Sequence, residues 1–560
     1  MWGTPVNNGK SLIKIIVTGI CKYSDNKFHG FQIFLTKLIM DLSISGGMEL
    51  GAEQEYVGIS AIYQFVGNAV QVISGALFYV LAAKIFPPSD LGTIALFIAI
   101  VGLFGIIFTL GLNNSITHFI SSNLKSKVYS PGKILLRILF IGIAVDIAGF
   151  LSLYLLSGLV SVIFFHSVSD GKYVRDLAFV LFGNIILSIL TGAIIGFERF
   201  RASAIISVFT WLIYYFGALG LALIYRSLNA IIFGWIGGLI IGITINALYL
   251  LGILAKGYMK RNQRVVGSRT IFVYSLPILL SSIMSYGASY TDRLVVAYFL
   301  NTAYLGIYNF SLLIFSAITF IAIPFNNITL PKFSEFYGSN NRGFIKQNVG
   351  AASLLLSYFY VPVALGIGAM APIVLQILGG PAYVMGQYSL MIVMFVPSLF
   401  ISFNILTQAI SSVRKTNIFL YSSLGGLVTN VVFSFLLIPE FKLTGAAIGF
   451  SSVSAVTFII LYTLAKREDI VEFDRAGLIK IWISALVMFS VVYTISHFLT
   501  AMVGDSVISL ALLIPAGMII YVGISWKLKI FSNEQKEYIY SMFPENLTVL
   551  KRIITLFILH

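Results

Sequence analysis

Long apolar runs follow one another along this chain from residue 57 to residue 526, and only short polar connections separate them. The hydrocarbon core of a bilayer is roughly 30 Å thick, so a spanning helix needs about 20 largely apolar residues. The pattern therefore predicts an all-α polytopic membrane protein with about 14 transmembrane helices. The predicted spans, numbered in chain order, cover residues 57–83, 91–115, 134–157, 177–196, 203–225, 229–254, 271–299, 304–328, 347–377, 385–411, 416–438, 443–465, 477–499 and 505–526.

The composition agrees with this prediction and removes other classes of protein. The chain is 58% hydrophobic and only 10% charged, and its mean hydropathy is +0.95, which does not describe soluble domains. The single cysteine, Cys21, excludes a disulfide within the chain and a cysteine-based metal site. We expect neither a metal nor a cofactor.

Two terminal segments fall outside the predicted spans. Residues 1–56 carry short apolar runs interrupted by charges, which suits a cytoplasmic or interfacial segment. An over-long gene start, with Met40 or Met48 as the true first residue, is an equally good interpretation. Residues 527–560 are expected to form a cytoplasmic amphipathic tail.

The distribution of Lys and Arg predicts the orientation in the membrane. The formal net charge is +15, and the loops after even-numbered spans carry 20 Lys and Arg against 5 in the loops after odd-numbered spans. Since cytoplasmic loops are enriched in these residues, we expect a multi-pass protein of the cell membrane with both termini in the cytoplasm. Positive charges placed this way signal topology and contact anionic lipid, and they do not indicate nucleic-acid binding.

An internal repeat relates the two halves of the chain. A shift of 214 residues without gaps aligns spans 1–2 with spans 7–8, and because it crosses six spans the two halves have the same orientation. An axis along the membrane normal then relates the halves, and a cavity is expected between them. The aligned pairs are Ala83 with Ala297, Leu91-Gly92 with Leu305-Gly306, Asn113 with Asn327, and Phe119 with Phe333.

The repeat also predicts the domain organisation. We call residues 57–254, which hold spans 1–6, the N-lobe, and residues 271–465, which hold spans 7–12, the C-lobe. Residues 255–270 form a basic cytoplasmic loop between the lobes. Residues 466–526 hold spans 13 and 14, which fall outside the repeat.

Three segments carry a family resemblance: Leu91-Gly92 followed by LGLNNSITHFIS at 110–121, DRLVVAYFLNTAYLGIYNFS at 292–311, and KLTGAAIGFSSVSAV at 442–456. In order and spacing they resemble the polysaccharide flippases of the multidrug/oligosaccharidyl-lipid/polysaccharide exporter superfamily. The resemblance implies a V-shaped pair of six-helix lobes with two extra C-terminal helices.

The implied activity is the movement of a polyprenyl-(pyro)phosphate-linked oligosaccharide from the cytoplasmic to the outer leaflet by alternating access, for cell-surface polysaccharide or glycan synthesis. The expected partners are this lipid, membrane lipids and glycan-assembly enzymes, without nucleic acid. The basic loop then either signals topology or forms a gate that first meets the pyrophosphate. Many relatives have a basic residue before an aromatic one after span 2, and this chain has His118-Phe119 there. The resemblance makes His118 a candidate contact for the substrate phosphate, with a charge that depends on pH.

An acid and a base stand side by side in span 7, at Asp292 and Arg293. Ionisable groups inside a membrane usually face protein or water and mark functional sites. The planar guanidinium of Arg293 suits a phosphate, so both residues are candidates for substrate binding. Asp292 points about 100° away from Arg293 on a helix, which disfavours a closed pair between them. The alternative is that each pairs with a neighbouring helix and only fixes packing.

Neutral polar residues recur at helical spacing in two other spans. Gln64, Asn68 and Gln71 stand at i, i+4 and i+7 in span 1 and share one face. Asn404 and Gln408 repeat the i, i+4 spacing in span 10. Such a stripe either lines a wet cavity and binds sugar hydroxyls, or it holds another helix by hydrogen bonds.

A lone carboxylate, Asp146, lies near the middle of span 3. Removal from water favours the neutral form of a carboxylate, which suits a proton relay and makes Asp146 a candidate for coupling. The alternative is a protonated residue that packs through hydrogen bonds.

Two other functions remain open from the sequence. One is a cation- or proton-coupled small-molecule exporter, and the other is an integral-membrane glycan polymerase or glycosyltransferase. The chain lacks the GxxxxGK[ST] phosphate loop. It also lacks a long extracytoplasmic loop with paired acids, which a lipid-linked glycosyltransferase would need. We therefore expect a transporter and not an enzyme.

Overall fold

The computed structural model describes residues 52–124, 128–258, 263–338, 342–413, 415, 417–503 and 507–531. Of the two predicted terminal segments, residues 1–51 and 532–560 lie outside the described residues. Most of the described chain is helical, because apolar runs in a bilayer must satisfy their backbone hydrogen bonds internally.

The α-helices, numbered in chain order, are α1 (Ala52–Ala82), α2 (Pro88–Thr109), α3 (Leu112–Ser121), α4 (Pro131–Leu155), α5 (Ser157–Phe165), α6 (Gly171–Gly196), α7 (Phe200–Leu212), α8 (Ala218–Tyr225), α9 (Leu228–Ile253), α10 (Ser268–Phe299), α11 (Thr302–Thr319), α12 (Ala322–Gly338), α13 (Arg342–Ala369), α14 (Ala371–Leu378), α15 (Gln387–Leu399), α16 (Phe403–Ser412), α17 (Asn417–Arg467), α18 (Arg475–Val503) and α19 (Val507–Leu528). A π-helical turn at Ile213–Gly217 joins α7 to α8, and another follows α9 at Leu254–Tyr258. A 3-10 turn at Pro381–Gly386 precedes α15.

Thirteen helical segments in the described residues are long and apolar enough to cross a membrane. One of them, α17, has 51 residues and contains a non-helical residue, Lys442, with φ 50° and ψ −124°. A Cβ added to Gly445 would lie 2.3 Å from the carbonyl oxygen of Leu437, and one added to Gly425, farther from the kink, would lie 2.6 Å from the side chain of Ile460, so the two parts of α17 run back along each other. The helix is therefore two antiparallel spans, and the thirteen segments provide the fourteen crossings that the apolar runs predict.

Several predicted spans are divided into two helices each. Span 2 becomes α2 and α3, span 8 becomes α11 and α12, span 9 becomes α13 and α14, and span 10 becomes α15 and α16, while the π-helical turn divides span 5 into α7 and α8. Between α2 and α3, Leu110 and Gly111 have φ of 49° and 67°. Gly111 suits this left-handed position, where an added Cβ would also lie 3.1 Å from the carbonyl oxygen of Ser275 on α10.

The two repeat-related glycines contact each other where α2 crosses α11. A Cβ on Gly92 would lie 1.6 Å from the carbonyl oxygen of Thr302, and a Cβ on Gly306 would lie 2.0 Å from that of Pro88. Only glycine permits backbones to approach this closely. The contact joins the N-lobe to the C-lobe near the beginnings of both helices, at the end of the bundle predicted to face outside.

Helix α10 also contacts both lobes. In its first half the Ser275 hydroxyl lies 2.6 Å from that of Ser115 on α3. In its second half the carbonyl oxygen of Ala288 accepts a hydrogen bond of 2.8 Å from Asn430 on α17. The described part of the basic loop pairs with the connection between α3 and α4, where the Arg264 amide donates to the Val128 carbonyl at 2.8 Å. The lobes are thus connected on the predicted cytoplasmic side as well.

Candidate functional site

The polar stripe of α1 lies on the wall of a cavity among the N-lobe helices. Gln64, Asn68 and Gln71 all line this cavity, whose volume is about 400 Å³. The Gln64 amide donates to the carbonyl oxygen of Phe200 at 3.3 Å. The side chains of Asn68 and Gln71 make no hydrogen bond within the part of the chain that the structure describes. Two of the three amides are therefore free to bind a ligand.

A second cavity of about 380 Å³ adjoins the first. It extends between α2, α6, α7 and α9, and Ser282 on α10 reaches it from the C-lobe. We call the two spaces together the N-lobe cavity. Five residues line both spaces: Asn113, Asn114, Asn184, Ser188 and Trp211.

Aromatic rings form one wall of the second space. Trp211, Tyr214, Tyr215 and Trp235 line it. The rings of Tyr214 and Trp235 are stacked with centroids 5.5 Å apart, and those of Trp211 and Tyr215 with centroids 6.0 Å apart. The N-lobe cavity therefore combines two kinds of surface that suit a sugar ring. Its amide groups can bind sugar hydroxyls, and its flat aromatic faces can pack against the apolar face of the ring.

Arg293 lies at the boundary of the lobes, outside the residues that line the N-lobe cavity. Its Nε donates to Asn309 Oδ1 at 3.1 Å, and its guanidinium carbon lies 4.3 Å from the centre of the Tyr290 ring. Tyr79 of the N-lobe is close enough to interact electrostatically with it. Arg293 is partly exposed and forms no ion pair with a carboxylate among the described residues.

Asp292 is fully buried inside the C-lobe. Its Oδ2 accepts a hydrogen bond of 2.6 Å from the Tyr308 hydroxyl, and its Oδ1 accepts a longer one of 3.4 Å from the Asn430 amide. These bonds connect α10 with α11 and α17. In this conformation the carboxylate is enclosed, which favours the packing alternative, and substrate contact through Asp292 stays a prediction.

The remaining predicted substrate contacts lie away from the N-lobe cavity. His118 at the end of α3 is exposed, and its ring stacks on that of Tyr274 with centroids 4.5 Å apart. Asn404 and Gln408 are half-buried on α16, where the Asn404 amide donates to the Ile401 carbonyl at 3.2 Å. Substrate contact through these three residues stays a prediction.

Asp146 on α4 is fully buried, and neither of its carboxylate oxygens has a hydrogen-bond partner among the described residues. One helical turn away on either side, added Cβ atoms on Gly142 and Gly149 would meet Ile189 and Phe108, so apolar side chains pack along this part of α4. A coupling role for Asp146 stays a prediction.

Several cavity residues were not singled out from the sequence, among them Asn114, Trp211 and Asn246. Asn114 follows Asn113, which the repeat pairs with Asn327, and Trp211 and Asn246 lie inside apolar spans. Only Asn246 has a signal of its own, as a polar residue in the middle of an otherwise apolar helix. Its position on the cavity wall depends on how α9 packs.

A family model described as "Polysaccharide biosynthesis protein" matches residues 80–385. The chain belongs to this family. A curated relative, the probable low-salt glycan biosynthesis flippase of Haloferax volcanii, is 21% identical to the chain over 476 residues, which is 83% of this chain and 95% of that family relative.

Solved structures show the same fold. The lipid II flippase MurJ in an inward closed conformation matches with a TM-score of 0.64 and 14% identity over 83% of this chain and 98% of that chain. A MATE family multidrug transporter of the MOP superfamily, facing inward, matches with a TM-score of 0.56 and 13% identity over 72% of this chain and 98% of that chain. The predicted fold class is confirmed, as is the prediction of a multi-pass membrane protein from a family of polysaccharide biosynthesis.

Proposed function

We propose that the protein translocates a polyprenyl-(pyro)phosphate-linked oligosaccharide from the cytoplasmic to the outer leaflet by alternating access. The observation that carries this proposal is the N-lobe cavity, which places free side-chain amides inside a bundle of membrane-spanning helices. Polar groups are costly at this depth unless they serve binding or packing. The family and the Haloferax volcanii relative connect such a chain with polysaccharide and glycan synthesis.

The orientation and the lobes are part of the proposal. With both termini in the cytoplasm, the contact between Gly92 and Gly306 lies at the outer end of the bundle and closes it. Residues 57–254 and 271–465 then act as the two lobes, and alternating access requires this contact to separate. In the proposed orientation the Gly92–Gly306 contact closes the outer end, as expected of a state that precedes release of the substrate outside.

The proposal divides the substrate between two sets of residues. The amides of the α1 stripe face the cavity and bind sugar hydroxyls, while Arg293 binds the phosphate of the carrier. Arg293 uses Nε for Asn309 and one terminal nitrogen for the carbonyl of Ser289. The other terminal nitrogen has no hydrogen-bond partner within the described chain, so it can donate to an anion.

The test uses purified full-length protein in liposomes with a labelled lipid-linked oligosaccharide. Movement of the lipid is measured by its access to an impermeant reagent. A hydrogen bond to a charged group contributes about 1.5–3 kcal/mol, so Arg293→Ala should slow translocation roughly 10- to 100-fold. Arg175→Ala, which removes an exposed cation at the start of α6, is the matched control.

Each other outcome has a definite meaning. An unchanged rate in Arg293→Ala would remove this residue from the phosphate site. Failure of the wild-type protein to move any lipid-linked oligosaccharide would overturn the flippase proposal, and covalent extension of the sugar would identify an enzyme.

A further inference from the structure

The N-lobe cavity is polar without being charged. None of the described residues that line its two spaces is an Asp, Glu, Lys, Arg or His. Its polarity comes from amides and hydroxyls, and in the first space these outnumber the apolar side chains.

Several of these amides retain hydrogen-bonding capacity. The side chains of Asn68, Gln71 and Asn114 make no hydrogen bond in the described part of the chain. The Nδ2 of Asn246 donates to the Gly242 carbonyl at 2.8 Å, but its Oδ1 is buried without a described partner. A side-chain amide offers two donors and an acceptor. Together these groups match ligand groups that both donate and accept.

Sugar hydroxyl and acetamido groups both donate and accept, whereas an ionised carboxylate only accepts. A carboxylate on a bound sugar would therefore leave the amide oxygens facing it unpaired. It would also lose hydration without gaining a counter-ion, because Arg293 lies outside the cavity lining and is assigned to the carrier phosphate. Burying an unpaired ion costs several kcal/mol, so a uronic acid is disfavoured at this position.

We propose that the N-lobe cavity is a subsite for uncharged sugars, hexoses and acetamidohexoses, and that it discriminates against uronic acids and other anionic sugars. Trp211 lines both spaces and places a ring face where the two sets of amides meet. The inference rests on the proposed function and adds the chemical class of the glycan. Charge on the substrate is then confined to the carrier phosphate.

The experiment compares two lipids that differ in one group. Both carry a trisaccharide on the same short-chain polyprenyl pyrophosphate, with glucose or glucuronic acid as the second sugar. In liposomes holding the full chain, we expect the neutral lipid to move roughly tenfold faster or more, given the cost of an unpaired buried charge. Equal rates, or a faster uronate lipid, would overturn the inference.

A substitution supplies the missing counter-ion. The Asn114 side chain is exposed to the cavity, so Asn114→Lys should be accommodated, and it should speed up the uronate lipid relative to the neutral one. Asn114→Gln keeps the amide and should retain the wild-type preference. A lysine variant that moves lipid but leaves the ratio of rates unchanged would contradict a subsite at this wall.

Equilibrium binding separates this inference from the flippase proposal. Titration of the detergent-purified protein with the same two lipids should show tighter binding of the neutral one. If neither lipid is translocated but this difference in binding is found, the flippase proposal fails and the neutral subsite stands. Equal binding, tighter binding of the uronate lipid or no binding of either would overturn the subsite.

Discussion

Two adjacent residues, Asp292 and Arg293, occupy opposite environments. Successive positions on an α-helix differ by about 100°, so one side chain enters the C-lobe while the next faces the boundary of the lobes. Asp292 accepts hydrogen bonds from Tyr308 and Asn430, and Arg293 lies over the ring of Tyr290. The carboxylate is therefore held inside the lobe, and the guanidinium lies at its boundary.

Removing the Asp292 carboxylate should destabilise the fold. In Asp292→Ala the Tyr308 hydroxyl and the Asn430 amide would each lose one acceptor and keep a backbone carbonyl as the other, and each lost hydrogen bond costs about 0.5–1.5 kcal/mol. We expect a lower thermal unfolding midpoint for the purified variant, and a smaller decrease for Asp292→Asn, whose amide oxygen can still accept from Tyr308. Arg293→Ala should leave the midpoint close to that of the wild type. If Asp292→Ala keeps the wild-type midpoint but loses transport, the result contradicts the packing role and supports a substrate contact.

For single residues, the sequence predicts which side chains share a helix face better than it predicts which residues of other helices they meet. The spacing of Gln64, Asn68 and Gln71 places them on one side of a helix, and the structure places that side on a cavity. Asn114, Trp211 and Asn246 reach the same cavity from three other helices, and no local pattern relates them. Their convergence follows from helix packing, which one sequence does not display.

The elements themselves were largely predictable, because bilayer thickness fixes the length of an apolar run. The breaks within spans were not. At Leu110 and Gly111 the chain stays apolar while the backbone enters the left-handed region, and only the close approach of Ser275 shows why. A hydropathy pattern indicates whether side chains suit an apolar environment. It carries no information on backbone contacts of this kind, so it does not predict the breaks.

The crossing of α2 and α11 provides a test at the scale of elements. In Gly92→Ala the new methyl group would overlap the Thr302 carbonyl, so the two helices must move apart. We expect the outer end to open and transport to fall. A Ser89→Cys reporter beside the crossing, in a Cys21→Ser background, should then react faster with an impermeant maleimide from outside.

The matched control is Gly237→Ala on α9, where no atom lies within 4 Å of an added Cβ. It should change neither labelling nor transport. Gly306→Ala approaches the same crossing from the other lobe and should reproduce the effect of Gly92→Ala. If Gly92→Ala labels and transports like the control, the crossing does not close the outer end.

The contact between the two halves of the molecule follows the symmetry of the repeat, but their candidate binding residues do not. Gly92 and Gly306 are equivalent by the repeat and meet at its centre, as an axis along the membrane normal requires. The amides that line the cavity belong to the N-lobe, whereas Arg293 belongs to the C-lobe. The sequence predicts this asymmetry because the charged pair of span 7 has no counterpart in span 1.

A neutral sugar subsite leaves the carrier phosphate as the charge that crosses the membrane, and this determines the expected driving force. Two negative charges moving outward from an inside-negative compartment gain roughly 2 × 2.3 kcal/mol per 100 mV. An inside-negative potassium diffusion potential should therefore accelerate outward translocation in liposomes, and the opposite potential should slow it. A carrier with one phosphate should respond less.

If protons also contribute through Asp146, a pH gradient should change the rate of the wild type but not that of Asp146→Asn, while both keep their response to voltage. If the translocation rates of the wild type and of Asp146→Asn are both independent of voltage, an electrical driving force is excluded.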